Sequence, residues 1–256
     1  MKLFSPFRFL LHYNFLVSLA AAMLGIETRI LLKLNPVLSG EIFFLFFATL
    51  TAYQIYYFDS VRHPLAKFFL FPALILTIMI GIQLPAHSQR MALLISILSI
   101  IYTLPVFVKS LRMIRKPGFK MVLLTIIWTL ASFIFPAENM HLSAGGEMML
   151  TYRVAFLFFL ILIFNLEGRE FPTTLQWILL PILPLLLMLL SVYLIWLRMD
   201  VLYALACMLS TLLCFVLHRR AIRKQHAALF YLFYADGLMV LHSIFVLILK
   251  QGQYEL

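Results

Sequence analysis

Ten carboxylates are spread over 256 residues, and three of them stand where apolar stretches end. Asp59 closes Tyr53-Gln-Ile-Tyr-Tyr-Phe-Asp59, and Glu167 and Glu170 close Phe164-Asn-Leu-Glu167-Gly-Arg-Glu170. Glu167 and Glu170 are three apart and share a face if their helix continues past residue 166. Carboxylates from two such ends suit a hard cation such as Mg²⁺, which takes oxygen ligands. Gln54, Tyr57 and Asn165 add amide and hydroxyl groups at the same two ends. Clusters of this kind facing one another would suit a diphosphate leaving group. The plainer reading is that of solvated helix-end charges balanced by Arg62, Lys67 and Arg169.

The other ionisable groups divide into two sets. Glu27, Glu41, Glu138, Glu147, Asp200 and Glu255 fall at outer loop edges and are expected to be solvated, with Arg29, Arg153 or Arg198 as partners. Asp236 lies within an apolar run, where an unpaired charge costs several kcal/mol. It is expected to face inward, hydrogen-bonded to a tyrosine, His12 or Asn14, and Arg153 poses the same question with Glu147 as its candidate partner. Cys207 and Cys214 are seven apart on one helix, too far for a disulfide, and read as core packing. No CxxC, HExxH or His-rich tract offers a metal site by spacing.

The elements that must carry these residues follow from composition. Hydrophobic residues make up 64% and charged residues 12% of the chain, against roughly 25% charged in soluble domains. The mean hydropathy is +1.03, which excludes an ordinary soluble fold. Predominantly apolar runs fall near 10–33, 40–58, 65–84, 91–108, 119–136, 149–166, 174–196, 201–218 and 229–249. They are too long for membrane strands and lack period-2 alternation, so their backbone groups must be satisfied within helices. The expectation is an all-α fold, a polytopic membrane bundle of about nine transmembrane helices forming one domain over 1–256. The first run lacks a small-residue cleavage pattern and is read as retained. Pro181 and Pro184 predict a kink in the seventh. The 25 Phe and 11 Tyr would suit either a greasy tunnel or ordinary cores and interface belts.

Basic residues set the orientation. Of the 20 Lys and Arg, fourteen fall at the amino end and in alternate connections, five fall on the other side, and Arg153 lies within the sixth run. The positive-inside rule puts the amino terminus in the cytoplasm and the carboxyl terminus outside, in an integral multi-pass protein of the cytoplasmic membrane. Asp59, Glu167 and Glu170 then share the cytoplasmic side. The net charge of +10 requires no nucleic acid. The blocks around Lys109 to Lys120 and Arg219 to Lys224 are juxtamembrane and suit anionic lipid headgroups, at about 1 kcal/mol per basic residue.

Four segments resemble the UbiA-type intramembrane prenyltransferases. Phe46-Phe-Ala-Thr-Leu-Thr-Ala-Tyr53, with Asp59 beyond it, is similar to the helix ending in the first Asp-rich motif of that family. Lys116-Pro-Gly-Phe-Lys120, Ile127-Trp128 and Phe135-Pro136 resemble its fifth-helix pattern. Asn165 to Glu170 with Thr173-Thr-Leu175 resembles the second Asp-rich motif, and Asp236-Gly237 is a fainter echo in the ninth run.

The resemblance implies nine helices and Mg²⁺-dependent transfer of a prenyl group from a prenyl diphosphate to a lipophilic acceptor. Asp59, Glu167 and Glu170 would be the metal ligands. Gln54, Tyr57, Asn165, Arg112, Lys116 and Lys120 would contact substrate, the last three as phosphate binders. The chain departs from the family in acid content: Tyr53 to His63 holds Asp59 alone, and Glu167 and Glu170 are out of phase with the motif. Two alternatives follow, a non-catalytic lipid-binding or scaffolding relative, and a transporter suggested by the Pro-interrupted seventh run with Asp236 and Arg153.

Overall fold

A computed structural model of the chain describes residues 14–35, 37–56, 64–107, 117–137, 143–164, 174–196, 201–223 and 228–251. Among the described residues all regular structure is helical: α1 (Phe15–Leu31), α2 (Gly40–Tyr56), α3 (Pro64–Gln83), α4 (Ala86–Phe107), α5 (Pro117–Thr129), a π-helical turn (Leu130–Ile134), α6 (Ala144–Phe164), α7 (Thr174–Trp196), α8 (Val201–Arg223) and α9 (Ala228–Gln251). Each apolar run of the sequence coincides with one helix, the fifth with α5 and its π turn together. The chain forms two compact units, Met1–Met140 and His141–Leu256.

Proline and left-handed residues set several of the boundaries. Pro64 and Pro117 open α3 and α5, where the missing N–H is one that a helix leaves unused anyway. Lys33 adopts φ 57° after α1. Its N–H meets the Ile30 carbonyl at 3.1 Å and the Leu34 N–H meets that of Arg29 at 2.8 Å. That pair of bonds is a Schellman turn, and it stops α1 just beyond Arg29. By contrast, Pro72 in α3 and Pro181 and Pro184 in α7 lie inside helices that continue through them.

In the first unit α2 packs against α1, α3 and α4, while the π turn packs against α1 and α5. The core gathers Ile42, Phe44 and Leu45 of α2 with Ala92 and Ile95 of α4, Leu123 and Ile127 of α5, and Phe135. In the second unit α6 packs on α7, α7 on α8, α8 on α9, and α9 back on α6. Tyr152, Phe156, Phe159, Leu160 and Leu162 of α6 are fully or almost fully buried there.

Three helical segments among the described residues, Ala144–Phe164, Ile178–Trp196 and Val201–Arg220, are long and apolar enough to cross a membrane. The outward faces are apolar as well. Phe68, Phe71, Ile75 and Ile82 of α3, and Ile178, Ile182, Leu189 and Trp196 of α7, are at least half exposed. Apolar surface of this extent on a helix that also buries apolar residues matches lipid rather than water as the surrounding medium.

Between apolar helices in lipid, close van der Waals contact replaces the hydrophobic effect as the driving force, and small residues permit it. Ala20, Ala21, Ala22 and Gly25 of α1 are buried or lie at such a contact. A Cβ on Gly25 would meet Ile42 Cδ1 at 2.8 Å, Leu45 Cδ1 at 3.0 Å and Pro136 Cγ at 3.4 Å. Gly25→Val is therefore expected to destabilise the protein by about 1–3 kcal/mol through overpacking. Gly237→Ala in α9, where nothing lies within 4 Å, should be neutral or stabilise by up to about 1 kcal/mol from helix propensity. Thermal melts of both variants in detergent, read against the wild type, check the contrast.

Candidate functional site

Polar side chains collect at both ends of α2. At its start, the end of α1, the first turn of α4 and the segment after the π turn come together. Arg29 is 1% exposed and Glu41 is 4% exposed, and their charged groups approach to 4.0 Å. Arg29 also donates to the Pro136 carbonyl at 3.4 Å, and Thr28 Oγ1 donates to the Ser132 carbonyl at 2.8 Å. From the other side Ser88 Oγ donates to Glu41 Oε1 at 3.0 Å and lies 3.1 Å from His87 Nε2. A chain of polar contacts thus runs from half-buried His87 through Ser88 and Glu41 to Arg29 and the backbone after the π turn.

This arrangement corrects the expectation that Glu27 and Glu41 are solvated. Both are buried, and for Glu41 the reason is the Schellman turn, which brings the α1 terminus and Arg29 against the start of α2. Arg29 as a partner is observed for Glu41. Glu147 is exposed, as expected for an outer edge, and Arg153, six residues along α6, is fully buried.

Some fifteen residues along α2, about 22 Å at 1.5 Å per residue, lies the second cluster. Tyr56, the last residue of α2, stacks on Tyr102 of α4 with ring centroids 5.5 Å apart and planes 22° apart. Lys120 Nζ, in the first turn of α5, lies 6.0 Å from the Tyr56 centroid and 5.9 Å from that of Tyr102. At that distance a ring quadrupole attracts an ammonium, by about 0.5–1 kcal/mol where water has access. Gln54, two residues back along α2, is 3% exposed. Of the residues expected to contact substrate or metal, Gln54 and Lys120 are thus described at this end of the first unit. Tyr57, Asp59, Arg112, Lys116, Asn165, Glu167 and Glu170, including the whole expected Mg²⁺ ligand set, lie outside the described residues.

Sequence reasoning did not single out Tyr56 and Tyr102. Tyr53 and Tyr56 are one turn apart on α2, a spacing that would have marked an aromatic face at the helix end. Tyr102 carries no comparable local signal, since its role comes from the packing of α4 beside α2.

The second unit holds its own buried polar network. Tyr152 Oη donates to the Cys207 carbonyl at 2.9 Å and lies 3.3 Å from Thr211 Oγ1. Ser210 Oγ lies 2.8 Å from His242 Nδ1, and the His242 ring packs against Tyr152 and Phe156 with centroids at 5.8 and 5.0 Å. These contacts link α6, α8 and α9 and are sealed from solvent, so their role is to clasp helices. Cys207 and Cys214 are free and fully buried, in keeping with core packing. Asp236 is buried as well, the inward placement expected for it.

Among the described residues no group of three or more His, Cys, Asp or Glu side chains is placed to hold a metal ion. Comparison with protein-family models, curated proteins and solved structures gives no match to this chain.

The Arg29–Glu41 pair gives a direct test of how the four helix ends are joined. Removing one partner leaves the other charge buried, which costs about 3–5 kcal/mol. Arg29→Met and Glu41→Leu are each expected to lower stability by that order. The double variant should lose clearly less than the sum, a coupling that a double-mutant cycle of thermal melts measures.

Proposed function

We propose that this chain is a nine-span membrane protein that binds an isoprenoid diphosphate, with the diphosphate at the Tyr56–Tyr102–Lys120 end of the first unit. The observation that carries the reading is Lys120, a residue assigned to phosphate from the sequence, held against two stacked tyrosine rings where α2, α4 and α5 of the apolar first unit meet. A compact ammonium on a flexible stem is suited to phosphate as a point charge. The tyrosine faces help to hold that charge in place. The phenol groups bring hydroxyls to the same end, and the surrounding helices offer apolar surface to a prenyl chain.

Prenyl transfer from such a donor to a lipophilic acceptor is the activity that the resemblance to UbiA-type enzymes suggests. The resemblance would make Asp59, Glu167 and Glu170 ligands of Mg²⁺, a cation that prefers carboxylate oxygens of this kind, and Mg²⁺ would supply charge neutralisation on the diphosphate. Lys120 would supply the part of that neutralisation that needs no metal. A second reading, binding without turnover, is favoured by the single acid in Tyr53 to His63.

The test uses the full chain in lipid nanodiscs and farnesyl diphosphate as the probe. Lys120→Gln should weaken binding by roughly 10-fold or more, the loss of one charge-assisted hydrogen bond of about 1.5–3 kcal/mol, while farnesol binding stays unchanged. Loss of any Mg²⁺ dependence in Asp59→Ala and Glu167→Ala would support the metal assignment. Unchanged diphosphate affinity in Lys120→Gln would overturn the site. Release of pyrophosphate with a lipophilic acceptor separates the enzyme from the binding protein.

A further inference from the structure

The π turn at the end of α5 departs from the way this chain satisfies its other helical hydroxyls. In the first unit Ser18, Thr28, Thr77, Ser96, Thr103 and Thr125 each donate to the carbonyl four residues back, at 2.7–3.0 Å. This folding back is the usual solution in a medium without water. Thr129 and Ser132 do not use it. Both side chains are nine-tenths or more buried, and neither Thr129 Oγ1 nor Ser132 Oγ has a hydrogen-bond partner among the described residues.

The two hydroxyls lie three residues apart where the α-helix opens into the π turn, closed by Phe135 N–H on the Leu130 carbonyl at 2.8 Å. Single π turns recur at functional sites, and a buried hydroxyl without a partner calls for water, an ion or a ligand group. A bare ion is disfavoured, because two neutral hydroxyls in an apolar core offer it little in exchange for its hydration. The main-chain oxygens nearby are already engaged, that of Ser132 by Thr28 and that of Pro136 by Arg29. The remaining capacity is that of the two hydroxyls themselves.

We propose that the π turn is a binding site for one small neutral oxygen group, taken up by Thr129 and Ser132. The group is a water molecule or the hydroxyl or carbonyl end of a lipophilic molecule. The site is distinct from the Lys120 end of the same helix, nine residues or about 13 Å away along α5, and it stands whether or not a diphosphate binds there.

The test is the sign of a stability change in the full chain in nanodiscs. With the group bound, Thr129→Val and Ser132→Ala each lose a hydrogen bond and lower Tm by several degrees, while Thr129→Ser keeps the wild-type value. With nothing bound, each variant removes an unsatisfied buried hydroxyl, and an unchanged or raised Tm overturns the site. Exhaustive delipidation in detergent identifies the occupant. A wild-type-to-variant difference that vanishes on delipidation and returns with added lipid extract assigns a lipophile, and a difference that persists assigns water. Should the variants not fold, a high-resolution map of the unmutated protein decides. Density within hydrogen-bond distance of both hydroxyl oxygens supports the site, and its absence there rejects it.

Discussion

A guanidinium buried among apolar helices sets the terms for the first unit. A guanidinium carries its charge wherever it is placed, so that of Arg29 must be met where it lies. Glu41 supplies the opposite charge, the Pro136 carbonyl supplies a dipole, and Ser88 fixes the carboxylate from the far side. Each of these groups belongs to a different segment. Meeting the charge of one residue therefore fixes four helix ends in register, which apolar contact alone, being non-directional, would not do. The cost of burying the pair is offset only while all partners are present, and this makes the cluster a device for specificity more than for net stability.

The same economy governs the hydroxyls and rings. In lipid there is no water to complete a hydrogen bond, so Ser and Thr fold back on their own helix or reach across to another. Thr28 does both, bonding Leu24 within α1 and Ser132 on the π turn. In the second unit Tyr152, Thr211, Ser210 and His242 do the equivalent work between α6, α8 and α9. Lys120 is the contrasting case, since its ammonium rests against the π-faces of Tyr56 and Tyr102.

Much of the helical layout was legible because runs of apolar residues bounded by charge and proline have few alternatives once strands are excluded. Pro64 and Pro117 mark two helix starts directly. Burial of Asp236 could be expected from its place within an apolar run, but burial of the Arg29–Glu41 pair was not legible. Glu41 follows Pro36, Ser39 and Gly40 in the sequence, residue types that read locally as a solvated edge, and the sharp reversal at Lys33 carries Arg29 back to it. The π turn had no signature either, since Leu130-Ala-Ser-Phe-Ile134 has an ordinary helical composition. For the candidate site, Lys120 and Gln54 could be named from sequence by chemical type. The tyrosine pair could not, because stacking between Tyr56 and Tyr102 depends on the relative placement of α2 and α4.

The distance between the polar ends of α2 has a consequence for where such a molecule can reside. A hydrocarbon layer of about 30 Å exceeds the roughly 22 Å separating Glu41 from Tyr56. If α2 crosses the bilayer, the membrane must thin around the first unit, or polar groups must be hydrated below the headgroups. Hydrophobic mismatch of this kind costs fractions of a kcal/mol per Å, enough in sum to favour thin, fluid bilayers over thick, ordered ones. The spacing of two polar clusters on one helix would then act as a gauge of membrane thickness.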